Sequence, residues 1–147
     1  MQPRPVVSVF ARLVDLRFIE EGETVSYDAT YRATGRRRIA TLAIGYADGY
    51  RRALSNRGSA LLNGKRVPVA GLVTMDMTML DVTDVPCEVG DVATLIGADK
   101  ELRFDEGEPV NQILDVEGVA READMSPYEL LTGLRARLPR VYLRGNV

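Results

Sequence analysis

The segment Ser59-Ala60-Leu61-Leu62-Asn63-Gly64-Lys65-Arg66-Val67-Pro68-Val69 has the strongest hairpin pattern in the sequence. Asn63-Gly64 separates two short strand-like runs. A type I′ turn requires positive φ at both central residues, which Asn-Gly readily adopts. Because proline has no N–H to donate, Pro68 must lie on an edge or at a non-bonded position. The segment therefore predicts two antiparallel strands joined by a tight turn.

Strand patterns also occur on both sides of this hairpin. Some alternate apolar and polar residues, and others are short continuous apolar runs typical of buried strands. A bend at Gly71 is expected to separate the hairpin from the strand that follows it. Besides the hairpin, we expect strands at residues 6–19, 25–31, 39–44, 72–82, 92–96, 101–104 and 141–143. The first three of these are expected to pair with one another.

Helix signals appear only late in the chain. Pro109 begins a segment whose apolar residues fall on one helical face, and Gly118 should end it. Ser126-Pro127-Tyr128-Glu129 has the pattern of a capping box, with serine as the N-cap, proline at N1 and glutamate at N3. The second helix should continue through Leu134.

These elements predict a mainly β fold. About eight or nine short strands with two short helices near the C-terminus fit a compact β-barrel-like domain, or alternatively a β-sandwich, and closure of a barrel would remove exposed edges. A chain of 147 residues is the size of one domain. We therefore expect a single unit over residues 1–147.

Composition narrows the class of protein. Lys and Arg number 19 against 21 Asp and Glu, so the net charge of -2 gives no general attraction for nucleic acid or an anionic membrane. The single cysteine, Cys87, cannot form an intramolecular disulfide, which favours a reducing, cytoplasmic setting. The sequence has no paired cysteines with zinc spacing, and we expect no metal site. It has no apolar run near the roughly 20 residues that a membrane span needs.

The segment Val25-Ser26-Tyr27-Asp28-Ala29-Thr30-Tyr31 contains a candidate for proton chemistry. In a regular strand Tyr27 would share one face with Val25, Ala29 and Tyr31. The chain has no histidine, so an acid or base working near neutral pH must be a tyrosine, lysine, carboxylate or cysteine with a perturbed pKa. Tyr27 is the candidate we follow.

Three further segments are candidates for function: the loop of residues 45–50, Thr74-Met75-Asp76, and Tyr128 at a helix start. Each also has a plain structural explanation. Tyrosines often lie half-buried with the hydroxyl in water, methionines alternating along a strand usually fill a core, and the capping box accounts for its own residues. Taken singly, these patterns favour structure over function.

Four motifs together resemble the C-terminal domain of alanine racemase in order and spacing. They are Val25-Ser26-Tyr27 with Ala29-Thr30-Tyr31, Ile44-Gly45-Tyr46-Ala47-Asp48-Gly49, Val73-Thr74-Met75-Asp76, and Tyr128 followed by Leu138-Pro139-Arg140. The resemblance runs from about Pro5 to the end of the chain. It implies a pyridoxal-phosphate enzyme that interconverts L- and D-alanine, for cell-wall D-alanine supply, by a two-base mechanism in which the cofactor acts as an electron sink.

The resemblance also implies a role for one residue of each motif. Tyr27 matches the tyrosine that exchanges the α-proton opposite a lysine, and serves the L-enantiomer. Tyr46 matches a tyrosine lining the path of the substrate, and Met75 the residue whose backbone amide meets the substrate carboxylate. Tyr128 matches a tyrosine that reaches the cofactor phosphate.

The resemblance places the cofactor lysine in an N-terminal (β/α)8 barrel of about 250 residues, which 147 residues cannot also contain. The implied partners are that barrel and, in a head-to-tail homodimer, a second subunit to which Tyr27 is supplied in trans. We expect the isolated domain to be inactive and to bind no pyridoxal phosphate. The preference for alanine over serine or another small amino acid stays open.

Two residues depart from the family pattern. Asp28 follows the tyrosine where glycine is common, so the aim of Tyr27 is in question if that glycine marks a bulge. Thr74 stands where cysteine is frequent. Two other functions remain open: a non-catalytic β-barrel assembly module related to the racemase domain, and an oligonucleotide-binding barrel, against which the acidic balance argues.

Overall fold

The structure is a computed structural model that describes residues 6–98 and 113–143. Within these ranges the chain forms nine strands, two α-helices and two 3-10 turns, at Tyr27–Ala29 and Arg52–Leu54. The strands and α-helices are β1 (Val9–Ile19), β2 (Thr24–Val25), β3 (Tyr31–Arg32), β4 (Arg37–Leu42), β5 (Ser59–Leu62), β6 (Lys65–Pro68), β7 (Thr78–Asp81), β8 (Val92–Ala98), β9 (Ile113–Leu114), α1 (Val116–Glu122) and α2 (Pro127–Thr132).

One antiparallel sheet forms most of the molecule. Its strand order is β6-β5-β8-β1-β4-β7, β9 pairs with β8 beside this path, and β2 and β3 form a separate two-stranded sheet. A bridge between Val69, directly after β6, and Leu80 in β7 joins the two ends of the order. The sheet is therefore nearly closed, and the prediction of a mainly β, barrel-like domain with two short helices near the C-terminus is confirmed.

The hairpin predicted around Asn63-Gly64 is β5 and β6. Asn63 has φ 48 and Gly64 φ 78, the left-handed region that a type I′ turn requires at both positions. Pro68 lies opposite Ser59 in β6, the terminal strand of the sheet order. It therefore has the edge position expected for a residue without an N–H.

The barrel interior is filled by inward-facing side chains of the strands and by one side of the helices. Leu13, Leu42, Leu62 and Leu80 are fully buried in a single cluster. Val119 and Ala120 of α1 and Leu130 of α2 belong to the same cluster. Both helices are thus fixed to the barrel by apolar burial.

The strand directions place the long loops at one end of the barrel. Leu42 at the end of β4 lies opposite Thr78 at the start of β7, and Ser59 at the start of β5 lies opposite Pro68 at the end of β6. Residues 43–58 and 69–77 are consequently neighbours, and we call them the loop end. The Asn63-Gly64 turn is at the opposite end.

Four predicted elements differ from the structure. The first is the strand at residues 25–31: β2 and β3 pair only with each other in a separate sheet, so of the first three predicted strands only the first and third pair, as β1 and β4. Of residues 72–82 only Thr78–Asp81 is strand, because the segment before it bends through a turn held by Thr74 and Met77. The first predicted helix is wrong in its bounds: Asp115 caps α1 by accepting from the Gly118 N–H, so Gly118 lies inside the helix that it was expected to end. Residues 141–143 are exposed and form no strand.

The other predicted elements agree with the structure or lie outside it. The strands predicted at residues 6–19, 39–44 and 92–96 correspond to β1, β4 and β8. The second helix starts at its capping box as predicted but ends at Thr132 rather than Leu134. The strand predicted at residues 101–104 and the start of a helix at Pro109 lie outside the described residues. In the ranges that the structure covers, none of the helices has the length and apolar character to span a membrane.

Truncating Leu80 should test whether the seam between β6 and β7 holds the barrel together. Leu80 is fully buried and pairs with Val69 across the seam, so Leu80→Ala should lower the free energy of unfolding by about 2–5 kcal/mol. Leu143→Ala is the control, because Leu143 is exposed and should change stability by less than about 0.5 kcal/mol. Urea denaturation measures both. Equal, small changes would contradict the assignment of the seam to the core.

Candidate active site

The segment around Tyr27 is a tight turn and not the regular strand predicted from its alternation. Ser26, Asp28 and Ala29 have φ values of 65, 61 and 49, and a backbone in the left-handed region cannot continue a strand. The segment instead forms the short strands β2 and β3 with the 3-10 turn Tyr27–Ala29 between them. Tyr27 is therefore not on a common face with Val25, Ala29 and Tyr31.

The turn separates the environments of neighbouring side chains. Val25 is fully buried in a second apolar cluster that includes Ile39, Ala70 and Met79. Tyr27, two residues later, is 71% exposed. The apolar residue thus attaches the hairpin to the barrel wall, while Tyr27 projects from its tip, exposed as expected for this chain alone.

Asp28, which stands where the family pattern has glycine, has a backbone conformation that glycine favours. Its backbone, φ 61 and ψ 10, is in the left-handed region, which glycine enters at no steric cost and which aspartate tolerates better than most residues. This geometry explains why glycine suits the position. Asp28 also lies on the exposed surface, so its side chain displaces nothing.

Hydrogen bonds hold the hairpin tip against the loop end. The Ser26 hydroxyl donates to the Leu72 carbonyl at 2.8 Å. The Asn56 side chain donates to the Thr30 hydroxyl at 3.0 Å and accepts from the Gly71 N–H at 2.7 Å. Tyr27 is therefore carried by a turn that is fixed on both sides.

The base of the hairpin is fixed by a polar contact with β7. The Tyr31 hydroxyl donates to Asp81 Oδ2 at 2.8 Å. Burial and the Asp81 carboxylate raise the pKa of Tyr31 to about 12. Partial burial disfavours the charge on Asp81, but hydrogen bonds from Thr83 and Tyr31 and the Arg37 guanidinium together lower its pKa below the usual value.

Tyr46 and Met75 lie on two loops that pair through their backbones. The Tyr46 N–H donates to the Thr74 carbonyl and the Ala47 N–H to the Met75 carbonyl, both at 2.9 Å. Gly45 is packed so closely that an added Cβ would come within 2.5 Å of the Met75 carbonyl. Tyr46 is 40% exposed and Met75 54% exposed, so both side chains border solvent at the loop end.

The Met75 N–H lies within a turn whose own hydrogen bonds do not use it. Thr74 and Met77 close a tight turn, since the Thr74 N–H donates to the Met77 carbonyl at 2.9 Å and the Met77 N–H to the Thr74 hydroxyl at 3.1 Å. Among the described residues, no acceptor pairs with the Met75 N–H. This donor is free to bind an external carboxylate.

An ion-pair network joins the same two loops. Arg137 Nε lies 2.7 Å from Asp48 Oδ1, and its terminal nitrogen lies 2.6 Å from Asp76 Oδ1. Asp48 Oδ2 also accepts from the Gly45 N–H at 2.9 Å. No local sequence pattern marks Arg137. Asp48 and Asp76 belong to two of the quoted motifs, but nothing in the sequence indicates that one arginine joins them.

Tyr128 occupies the first turn of α2 and is 79% exposed. The helix is tied to the loop end by Arg51, whose side chain donates to the Glu129 carbonyl at 2.9 Å. The structure thus brings Tyr27, Tyr46 and Met75 onto adjoining loops. Tyr128 is connected to the loop end through the hydrogen bond between the Arg51 side chain and the Glu129 carbonyl of α2.

Tyr27, Tyr46 and Tyr128 are all exposed, and they share a second property. In the part of the chain that the structure covers, their hydroxyls have no hydrogen-bond partner. Tyr50, by contrast, is buried, and burial with the nearby Glu122 carboxylate raises the pKa of its hydroxyl, so it is unsuited to act as a base. The exposed tyrosines remain available to an external ligand.

The described residues supply no lysine at the loop end. The described residues include a single lysine, Lys65, which follows the Asn63-Gly64 turn at the opposite end. They contain no cluster of carboxylate, cysteine or histidine side chains that could hold a metal ion. Besides the arginines at positions 51, 52 and 57, the loop end offers the Tyr46 hydroxyl and the Met75 N–H.

Removing the Tyr31 hydroxyl should weaken the anchoring of the hairpin in a pH-dependent manner. Tyr31→Phe should lower the free energy of unfolding by about 1 kcal/mol at pH 7, because the bond to a carboxylate is lost. Asp81 has a lowered pKa, so its contribution is present above pH 3.8 and is lost as pH falls through the folded-state value. Tyr31 has a raised pKa, so its contribution is present below pH 10.0 and is lost as pH rises to about 12.

Chemical denaturation across pH should therefore show the largest difference between the wild type and Tyr31→Phe at intermediate pH. The difference should shrink at both extremes. Tyr142→Phe serves as the control, since Tyr142 is exposed. A difference that stays constant across pH would contradict this role of the Tyr31–Asp81 bond.

Comparison with known proteins identifies the family of the chain. Residues 6–142 match the family model described as "Alanine racemase, C-terminal domain". The chain is 42% identical over 145 residues to alanine racemase of Brucella canis, covering 97% of this chain and 33% of that protein. It is 38% identical over 148 aligned residues to the enzyme of Geobacter sulfurreducens, covering 100% of this chain and 36% of that protein.

Solved structures show the same relationship. The biosynthetic alanine racemase of Pseudomonas aeruginosa superposes with a TM-score of 0.83 at 39% identity, over 96% of this chain and 36% of that one. The Bartonella henselae enzyme, solved with covalently bound pyridoxal phosphate, gives a TM-score of 0.80 at 33% identity, over 92% of this chain and 34% of that one. The chain thus spans about a third of the length of these relatives. It belongs to the alanine racemase family and corresponds to the family's C-terminal domain.

Proposed function

We propose that this chain serves as the C-terminal domain of a pyridoxal-phosphate-dependent alanine racemase and contributes Tyr27 to a shared active site. The observation that carries the proposal is the placement of Tyr27. Its exposed hydroxyl, without a partner among the described residues, projects from a turn whose backbone is fixed by Ser26 and Asn56. A proton-transfer group needs both accessibility and fixed geometry.

Tyr27 exchanges the α-proton on the face that serves the L-enantiomer. A free tyrosine has a pKa near 10, so a phenolate that works near neutral pH needs positive charge or hydrogen-bond donors beside it. The described residues provide no such contact to the Tyr27 hydroxyl. The (β/α)8 barrel completes the site by supplying those groups.

The residues of the loop end fit a bound pyridoxal phosphate only in part. The Tyr128 hydroxyl is exposed and unpaired in the described structure, so it can donate to a phosphate oxygen. Lys65, the one lysine among the described residues, lies at the opposite end of the barrel, and we assign the lysine that holds the cofactor to the (β/α)8 barrel. When bound, the cofactor acts as the electron sink that lowers the energy of the α-carbanion.

Met75 binds the substrate, and Tyr46 lines the path by which the substrate reaches it. The Met75 N–H, unpaired in the described structure, donates to a substrate carboxylate from a position fixed by the Thr74–Met77 turn. Tyr46, half-exposed on the paired loop, lines the approach to that amide. The reactive α-carbon therefore lies between groups of this domain and groups of the barrel.

The exposed apolar surface of the loop end supports assembly with another domain. Met75 and Met77 of the loop end are exposed, as are Tyr27 and Tyr128 on the elements attached to it, and exposed apolar surface is typical of a site where another domain binds. We assign the occupant as the barrel of a second subunit in a head-to-tail homodimer, so that Tyr27 acts in trans. The domain alone is inactive, and the assembled enzyme supplies D-alanine in the cytoplasm.

The test uses a fusion protein in which this chain follows the (β/α)8 barrel domain of the Pseudomonas aeruginosa racemase. With pyridoxal phosphate bound, the wild-type fusion should racemise L-alanine. Tyr27→Phe should lower kcat/KM by about 10²–10⁴, the usual contribution of a general acid or base. Tyr142→Phe, a change of the same type at an exposed site outside the loop end, should have no effect.

Two results would count against the proposal. A folded, cofactor-loaded wild-type fusion without racemase activity would reject the function. A Tyr27→Phe variant with wild-type kcat/KM would reject the role of Tyr27.

A further inference from the structure

We propose that Arg137 is a positioning residue that fixes the Met75 amide relative to Tyr46, by joining Asp48 of one loop to Asp76 of the other. The effect of Arg137 on substrate binding rests on the proposed function. The effect of Arg137 on the positions of the two loops is independent of that function.

The Arg137 guanidinium contacts two carboxylates through different nitrogen atoms. Nε lies 2.7 Å from Asp48 Oδ1, and a terminal nitrogen lies 2.6 Å from Asp76 Oδ1. Charge-assisted bonds of this length are stronger than those between neutral groups. Arg137 is thus a bridge between two carboxylates that belong to different loops.

The Asp48 and Asp76 carboxylates differ in burial and in the contacts that hold them. The Asp48 side chain is 8% exposed, and its second oxygen accepts from the Gly45 N–H at 2.9 Å. The Asp76 side chain is 55% exposed. Asp48 is therefore the fixed end of the bridge, and Asp76, directly after Met75, is the end whose position depends on Arg137.

The segment that carries Arg137 is itself joined to the Tyr46 loop. The Arg135 N–H donates to the Asp48 carbonyl at 2.9 Å, two residues before the guanidinium that binds the Asp48 carboxylate. The backbone and side chain of Asp48 thus both contact the C-terminal segment. This double attachment fixes the direction from which Arg137 reaches Asp76.

The backbone pairing of the two loops constrains the Met75 amide less than the same pairing together with the Arg137 bridge. The two loops share the bonds from the Tyr46 and Ala47 N–H groups to the carbonyls of Thr74 and Met75. The Thr74 carbonyl shares its trans peptide with the Met75 N–H and points the opposite way, and the Met75 carbonyl belongs to the following peptide, so neither bond holds the N–H itself. Asp76 follows that N–H in the chain, so its attachment to Arg137 fixes the far side.

Lysine cannot replace this arginine. The two contacts leave Arg137 from Nε and from a terminal nitrogen, in the fixed directions of a planar fork. A lysine ammonium is a single point charge, and it would contact one carboxylate or lie between them without a defined direction. Arg137→Lys should therefore behave more like Arg137→Ala than like the wild type.

The first experiment measures amide hydrogen exchange of this chain by NMR. In Arg137→Ala and Arg137→Lys, exchange at the Tyr46 and Ala47 amides should accelerate at least about tenfold, because the bonds to Thr74 and Met75 open more often. Amides in the β1–β4 pairing should keep their rates. Arg135→Ala is the control, since it removes an exposed positive charge from the same segment without touching either carboxylate.

Asp76→Ala distinguishes loss of the bridge from general destabilisation of the fold. It removes only the exposed end of the bridge and leaves Asp48 paired with Arg137. It should accelerate the same two amides. Equal exchange in Arg137→Ala and Arg135→Ala at Tyr46 and Ala47 would overturn the proposal.

The second experiment measures kinetics in the fusion protein. A carboxylate contact made in both ground and transition states changes KM more than kcat. Arg137→Ala and Asp76→Ala should therefore raise KM for alanine at least about fivefold, with kcat changed less than about twofold. A loss of kcat at unchanged KM would overturn the link to the Met75 amide. An inactive wild-type fusion would instead reject the proposed function, and the exchange experiment would still decide whether Arg137 positions the loops.

Discussion

The antiparallel pairing of β4 with β7 determines where the candidate site can form. Leu42 lies opposite Thr78, so the chain leaving β4 and the chain entering β7 emerge side by side at one end of the barrel. Their loops then join through the backbone bonds of Tyr46 and Ala47. A shift of one residue in this register would reverse the facing of every side chain in β7. It would also separate Tyr46 from Met75.

The hairpin that carries Tyr27 depends on the same strand pair. Ile39 in β4 and Met79 in β7 belong to the apolar cluster that buries Val25, and Asp81 in β7 binds the Tyr31 hydroxyl. The tip is then secured to the loop end through Ser26 and Leu72. The fold thus buries the base of the hairpin and exposes its tip, which is the arrangement needed by a group that works on a ligand held elsewhere.

The sequence predicted the parts of this structure that depend on local chemistry. The Asn63-Gly64 turn and the Ser126 capping box formed where expected, because their geometry follows from neighbouring residues. The turn at Tyr27 was mistaken for a strand, since alternation of side chains does not reveal positive φ at Ser26 or Asp28. Motif spacing identified the candidate residues, but the Asp48–Arg137–Asp76 network depends on contacts between distant segments that no local pattern encodes.

The central claim is that Tyr27, whose turn is held against the loop end, supplies one side of a two-sided proton transfer. The most direct measurement is α-proton exchange into deuterated water, followed separately from L-alanine and from D-alanine in the fusion protein carrying Tyr27→Phe. The account predicts that exchange from L-alanine falls by at least about a hundredfold, whereas exchange from D-alanine continues through the lysine of the barrel. Equal loss from both enantiomers, or no loss from L-alanine, would contradict it.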